Sequence, residues 1–243
     1  MLNFYKLNQI LENQEEKVLI PRRSMEIRQQ NKAKVIQRQI QQYIKNGSKG
    51  DLDLNNTPIT TLPDNLTIVN GNLDLGYTKI TNLPDNLTVG RNLNLYLASI
   101  TSLPENLKVG GNLNIYHTKI TTLPNNLTVS GNLYLGYTKI TTLPEDLTIV
   151  NGDLDLSFSK ITSLPKNLTV GGDLHLTNTP ITTLPNNLAV NGSLILYNTK
   201  ITSLPEDLKV GGYLNLTSTP ISKQYSKEEL ESMLPNVKGE IYA

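Results

Sequence analysis

From residue 50 to about residue 221 the chain repeats one motif: an apolar–polar–apolar triplet, a polar turn, then a Leu-Pro pair. The prolines of those pairs are Pro63, Pro84, Pro104, Pro124, Pro144, Pro165, Pro185 and Pro205, always 20 or 21 residues apart. One unit reads Gly71-Asn-Leu-Asp-Leu-Gly-Tyr-Thr-Lys-Ile-Thr-Asn-Leu-Pro-Asp-Asn-Leu-Thr-Val-Gly90. Leu73-Asp74-Leu75 has the two-residue period of a strand with one buried face and predicts a strand of about three to five residues. Strands recurring every coil stack in parallel about 4.8 Å apart. Leu73, Leu75, Ile80, Leu83, Leu87 and Val89 then point inward from different sides of one coil. Burial is worth roughly 1.5–3 kcal/mol per large aliphatic side chain before conformational entropy is subtracted. No coil hides these side chains alone, so the fold needs the array.

The other positions have local reasons. Pro84 and its equivalents cannot donate to a strand ladder, which suits the non-strand side of the coil. The glycine pairs Gly110-Gly111, Gly171-Gly172 and Gly211-Gly212 are expected to permit a sharp re-entry into the next strand. The two longer units each add one residue at a turn, in Thr67 to Gly71 and Thr148 to Gly152.

Outside the array the pattern changes to a helical one. Residues 2–13 carry Leu2, Tyr5, Leu7, Ile10 and Leu11 and predict a short helix; residues 14–23, with Pro21, read as a linker. Residues 24–46 predict a helix with Ser24 as N-cap and Asn46-Gly47 as its stop. Its apolar stripe, Ile36, Ile40, Tyr43 and Ile44, is expected to cover the open edge of the first coil. After Ile221, Ser226 to Glu229 form a capping box that opens a helix over 227–233, and Gly239 to Tyr242 offer a last strand. The chain thus divides into an N-terminal helix and linker (1–23), a capping helix (24–49), the solenoid (50–221) and a C-terminal cap (222–243). Both ends look built, as expected of a whole protein.

The run Leu73 to Ile80, Leu-x-Leu-x-x-Thr-x-Ile, resembles the leucine-rich repeat core Leu-x-Leu-x-x-Asn-x-Leu, and the short Leu-Pro unit is similar to the bacterial class of that family. The resemblance covers some seventy per cent of the chain. It implies a stack of about nine coils of 20–21 residues with one short parallel strand each and helical caps at both ends. In the family an inward Asn forms a hydrogen-bonded ladder with the turn backbone. Here that slot holds Thr57, Thr78, Ala98, Thr118, Thr138, Ser159, Thr179, Thr199 and Thr219. A hydroxyl serves a similar turn-capping role with fewer bonds, and Ala98 makes none, so a ladder is expected to be weakest there. The substitution leaves the curvature open, with a straighter β-solenoid as the alternative. The polar-basic helical head, these repeats and the short helical tail together are also similar to repeat proteins encoded by large bacteriophages.

Three outward rows are candidate surfaces. Two residues after the second strand leucine stand Asn56, Tyr77, Leu97, His117, Tyr137, Phe158, Asn178, Asn198 and Ser218. Five consecutive coils carry large groups there, a stripe about 20 Å long at the strand spacing, and Tyr96, Tyr116 and Tyr197 occupy the neighbouring slot. Such rings either meet a partner or stabilise neighbouring coils. The mid-strand row is Asp53, Asp74, Asn94, Asn114, Tyr134, Asp155, His175, Ile195 and Asn215. It is either the partner face that the family resemblance implies or a solvated face bonded between coils. Lys79, Lys119, Lys139, Lys160 and Lys200 form a third row, expected to pair with Asp64, Asp85, Glu105, Glu145 and Glu206.

Composition narrows the chemistry. There is no Cys and no Trp, so disulfides, thiolate metal sites and a cysteine nucleophile are excluded. Net charge is +1, but the first 49 residues carry +6 and the remainder −5. The basic head, Arg22, Arg23, Arg28, Lys32, Lys34 and Arg38, offers an acidic surface or nucleic acid a contact, although helix solvation explains it as well. No apolar run reaches the roughly 20 residues of a membrane span. No signal-peptide core stands at the N-terminus, so the Asn-Leu-Thr triplets at Asn65, Asn86, Asn126 and Asn167 read as repeat chemistry. The expectation is a soluble protein of a bacterial or infected-cell cytoplasm, or one associated with a virion. Both histidines, His117 and His175, fall in repeat slots filled elsewhere by Tyr, Asp or Asn, and no phosphate loop, zinc spacing or nucleophile motif occurs. The expectation is a non-catalytic protein–protein interaction module, without metal or cofactor, that binds through Tyr77, Tyr96, Leu97, Tyr116, His117, Tyr134, Tyr137 and Phe158. The alternatives are a structural component of a phage particle anchored by the N-terminal helices, and a carbohydrate-binding surface.

Overall fold

The computed structural model describes residues 26–243. The predicted helix over 2–13, the linker over 14–23, the N-cap at Ser24 and the head residues Arg22 and Arg23 lie outside them.

Nine two-residue strands, from Leu52–Asp53 to Leu214–Asn215, stack in parallel and in register, leucine on leucine. The strands are shorter than the triplet suggests. The inward set is buried as expected: Leu73, Leu75, Ile80, Leu87 and Val89 are wholly inaccessible, and Leu83 nearly so. Their equivalents join one hydrophobic cluster that runs from Ile36 to Ile241.

A second strand per coil was not foreseen. Thr88–Val89 and its equivalents form two further parallel sheets of four strands each, one starting at Ile68–Val69 and the other at Ile149–Val150. Each begins in a 21-residue unit. The residue added before Ile149 shifts that coil's back strand out of pairing with Thr128–Val129. The back sheet is therefore interrupted between the fourth and fifth coils, while the front sheet is continuous. Leu127 and Val129 at this seam are only partly buried, whereas Leu107, Val109, Leu168 and Val170 are fully enclosed.

The helix over 26–45, α1, lies across the first coil with Ile36 and Ile40 buried. It stops at Gly47, whose φ of 81° closes the turn: the Gly47 N–H donates to the Ile44 carbonyl and the Ser48 N–H to the Tyr43 carbonyl. The Tyr43 hydroxyl donates to the carbonyls of Ser48 and Gly50, tying helix to coil. At the other end Thr219 caps a short helix, α2 (Pro220–Gln224), and the Ser226–Glu229 capping box opens α3 (Lys227–Met233). Ile241–Tyr242 adds the tenth strand of the front sheet.

Against expectation, the repeat glycines are not needed for backbone freedom, since among the glycines of the described residues only Gly47 and Gly50 have positive φ. They are needed for space. A Cβ at Gly71, Gly131, Gly152, Gly172 or Gly192 would collide with a side-chain oxygen of the preceding coil. Those oxygens belong to the inter-coil ladder, which, contrary to expectation, is not in the threonine slot. The threonine hydroxyls donate within their own coil, Thr78 to the Leu75 carbonyl at 2.6 Å and Thr138 to that of Leu135 at 2.6 Å. The ladder runs through the row before the strand. There the Asn72 N–H donates to Asp51 Oδ1, Asn92 to Asn72, Asn112 to Asn92, Asn132 to Asn112, and so on to Ser193, at 2.6–3.0 Å. Ala98 therefore interrupts no ladder. Asparagine suits this row because its carbonyl accepts from the next coil while its own N–H donates to the previous one.

Candidate functional site

The aromatic row stands on an unusual backbone. Asn56, Tyr77, Leu97, His117, Tyr137, Phe158, Asn178, Asn198 and Ser218 all adopt φ between 52° and 65°. They occupy the turn that leaves each front strand, where the chain must reverse locally. Asn tolerates this left-handed region, but bulky residues adopt it uncommonly, because Cβ crowds the following carbonyl. Their side chains point outward: Tyr77 is 54% exposed, Leu97 42%, Tyr137 40% and Phe158 41%.

Stacking joins most of the candidate residues into one surface. His117 lies over Tyr137 at 4.2 Å between ring centres, and Tyr137 over Phe158 at 4.3 Å, with planes within 23° and 15° of parallel. Tyr96 and Tyr116, half-buried in the neighbouring slot, extend the contact: Tyr96 meets Tyr77 at 5.3 Å and Tyr116 meets Tyr137 at 5.3 Å. Tyr116 lies over the backbone of the next coil because Gly136 stands there; a Cβ at Gly136 would occupy the ring's own space. Burial, aided by the Asp155 carboxylate, pushes the Tyr116 phenol up to about 12. Burial likewise raises Tyr77, with Tyr96 adding to the effect. Leu97 sits in the row without a ring to stack.

Tyr134 does not join this surface. It lies in the mid-strand row and takes a hydrogen bond from the Asn132 amide. That row is chiefly structural in its bonding. The side-chain oxygens of Asp53, Asp74, Asn94, Asn114, Asp155 and Asn215 each accept from the N–H two residues on, at 2.8–3.1 Å, ending the strand in an Asx turn. Asn94 also donates to Asp74 of the preceding coil. The lysine row forms no ion pair with the acids that follow Leu-Pro: among the described residues the only ion pairs are those of Lys227 with Glu231 and Glu240. Arg28, Lys32, Lys34 and Arg38 are exposed on α1.

Sequence reasoning missed one feature beside the stripe. A groove of about 540 Å³ opens between α1 and the first two coils, lined by Glu26, Gln29, Ala33, Pro58, Tyr77 and Lys79, and it leads onto Tyr77. It exists only because the cap crosses the coil edge, a placement that no local pattern specifies. Among the described residues no cluster of His, Asp or Glu has metal-holding geometry, and no helix is long and apolar enough to cross a membrane.

No protein-family model and no curated protein matches the chain. Among solved structures, a leucine-rich repeat protein of Leptospira interrogans shares 20% identity over 78% of this chain and 83% of its own, with a TM-score of 0.29. YopM from Yersinia enterocolitica shares 18% identity over 70% of this chain and 60% of its own, with a TM-score of 0.20. The chain's own geometry decides the architecture: it is a parallel-strand solenoid of leucine-rich coils similar to the leucine-rich repeat fold, with a helix laid over its first coil.

Proposed function

We propose that the protein is a non-catalytic interaction module whose partner, a protein, docks on the stripe from Tyr77 to Phe158 with Tyr96 and Tyr116 as its floor. The observation that carries this reading is the placement of five consecutive bulky, exposed residues in a left-handed turn that the outer coils fill with Asn or Ser. Such strain costs about 1–2 kcal/mol per residue. A favourable ring pair returns about 0.5–1.5 kcal/mol. The two nearly offset each other, so stacking alone gives these residues no clear advantage over Asn. Leu97 carries the strain with no ring to offset it. Exposed tyrosine and other aromatic groups on a rigid scaffold are what protein interfaces use as anchors.

The stacking argues against a carbohydrate surface. Sugars lie on ring faces, and here the faces of His117 and Tyr137 are turned to neighbouring rings. A structural role in a phage particle has no particular residue to carry it.

The test replaces Tyr77, Tyr137 and Phe158 with Asn together, which suits the turn. A partner captured by the wild-type protein and lost by the triple variant, with the melting temperature unchanged, supports docking. A variant that keeps every partner, or that melts markedly lower, makes the stripe a stabilising stack.

A further inference from the structure

We propose that Asn151 is a site of spontaneous deamidation, the Asn-Gly pair that the fold leaves open to reaction. The chain contains four Asn-Gly pairs, beginning at Asn46, Asn70, Asn151 and Asn191, and all four asparagines are exposed. All four side chains thus reach water, and what differs most is the nucleophile. In the reaction the backbone nitrogen of the glycine loses its proton and attacks Cγ of the asparagine. A C–N bond forms, the bond from Cγ to Nδ2 breaks, and ammonia leaves. Water then opens the five-membered imide at either carbonyl, giving aspartate or isoaspartate. No oxidant, metal or enzyme is required.

At three pairs the nitrogen is held. The Gly47 N–H donates to the Ile44 carbonyl at 2.9 Å, Gly71 to Gly50 at 2.9 Å and Gly192 to Gly172 at 3.0 Å. The preceding amides are held too: Asn46 to Gln42, Asn70 to Ser48 and Asn191 to Val170. A bonded N–H keeps its proton, and its peptide plane cannot turn to bring nitrogen toward Cγ. Asn70 is held further by its leaving group, since its Nδ2 donates to the Ser48 carbonyl at 2.9 Å.

At the fourth pair neither the Asn151 N–H nor the Gly152 N–H has a protein acceptor among the described residues. The cause is the seam. In the coil before, the Ser130 N–H donates to Val109 and Gly131 to Gly111; in the coil after, Gly171 donates to Val150 and Gly172 to Gly152. The inserted residue ahead of Ile149 breaks that run at one joint and leaves the two amides of Asn151 and Gly152 without their rungs. The isoaspartate product lengthens the main chain by one atom, which the open joint accommodates more readily than a bonded rung does.

The experiment incubates the full-length folded protein at mildly alkaline pH and maps its peptides by mass spectrometry, with enzymatic methylation to mark isoaspartate. A parallel sample is held in urea. In the folded protein, product is expected at Asn151 several-fold faster than at Asn46, Asn70 or Asn191, and in urea the four rates converge. Equal rates in the folded protein, a faster site elsewhere, or a preference for Asn151 that persists unchanged in urea would each overturn the proposal.

Discussion

The five coils that carry Tyr77, Leu97, His117, Tyr137 and Phe158 and the coils that carry Asn178, Asn198 and Ser218 share one backbone. Their φ values fall in the same narrow range and the leucines that open their front strands are all buried. They differ in what stands on the turn. In the outer coils the residue suits the conformation, and Asn198 donates to Asn178 across the coil boundary. In the central coils it does not, and rings lie on rings instead. The same turn geometry therefore does not specify its residue, and the proposed docking role would account for the central set.

The largest effect that tests this difference is expected at Gly136. Its Cβ-free backbone is the floor on which Tyr116 lies. Gly136→Ala should destabilise the fold by about 1–3 kcal/mol as an overpacked site does, read by urea denaturation. Thr177→Ala, at the same slot of an outer coil, should change little. A Gly136→Ala protein as stable as wild type would show that the ring moves freely and the stripe is not one packed surface.

Next comes the reverse exchange. Asn178→Leu puts a bulky residue on the turn without a ring to stack and should cost about 1–2 kcal/mol. Leu97→Asn should raise stability by a similar or smaller amount, about 1 kcal/mol, because it relieves the same crowding. A Leu97→Asn protein that melts lower would mean the side chain contributes contacts that outweigh the turn, and would weaken the case for display.

The smallest effect is alkaline. The ordinary phenol titrates at 10.0, and Tyr116 is pushed up to about 12. Between those values the native state holds a proton that the unfolded chain has lost, so stability falls as pH rises through this window and is fully present below it. Tyrosinate absorbance should show a late-ionising phenol that Tyr116→Phe removes, and the same variant should flatten the stability loss above pH 10. An unchanged slope in Tyr116→Phe would place the burial elsewhere.

Much of this was legible in the sequence. The inward set, the coil length, the helix stop at Asn46-Gly47 and the capping box at Ser226 follow from local spacing, and the structure has them all. The membership of the aromatic row was also legible, because a fixed period puts equivalent positions side by side. Tyr134 stands in the mid-strand row, where alternation places it, and takes a hydrogen bond from Asn132 there. The ladder was assigned to the wrong row, since Thr78 and Asn72 each have a polar group to spend and only the distance to the next coil decides which bond it makes. The lysine–acid pairs failed for a related reason, because neighbours in a linear pattern need not come within reach once the coil turns.

By itself the sequence determined the period, the inward face and the ends of the helices, because each depends on residues a few positions apart. Tertiary structure alone decided which glycines were needed for space, which polar row joined the coils, how the cap opened a groove beside Tyr77, and where the back sheet broke. Those depend on distances between atoms a full coil or more apart in the chain. One inserted residue ahead of Ile149 shows the division most plainly: a turn absorbs it without harm, but the strand pairing that it displaces belongs to the neighbouring coil.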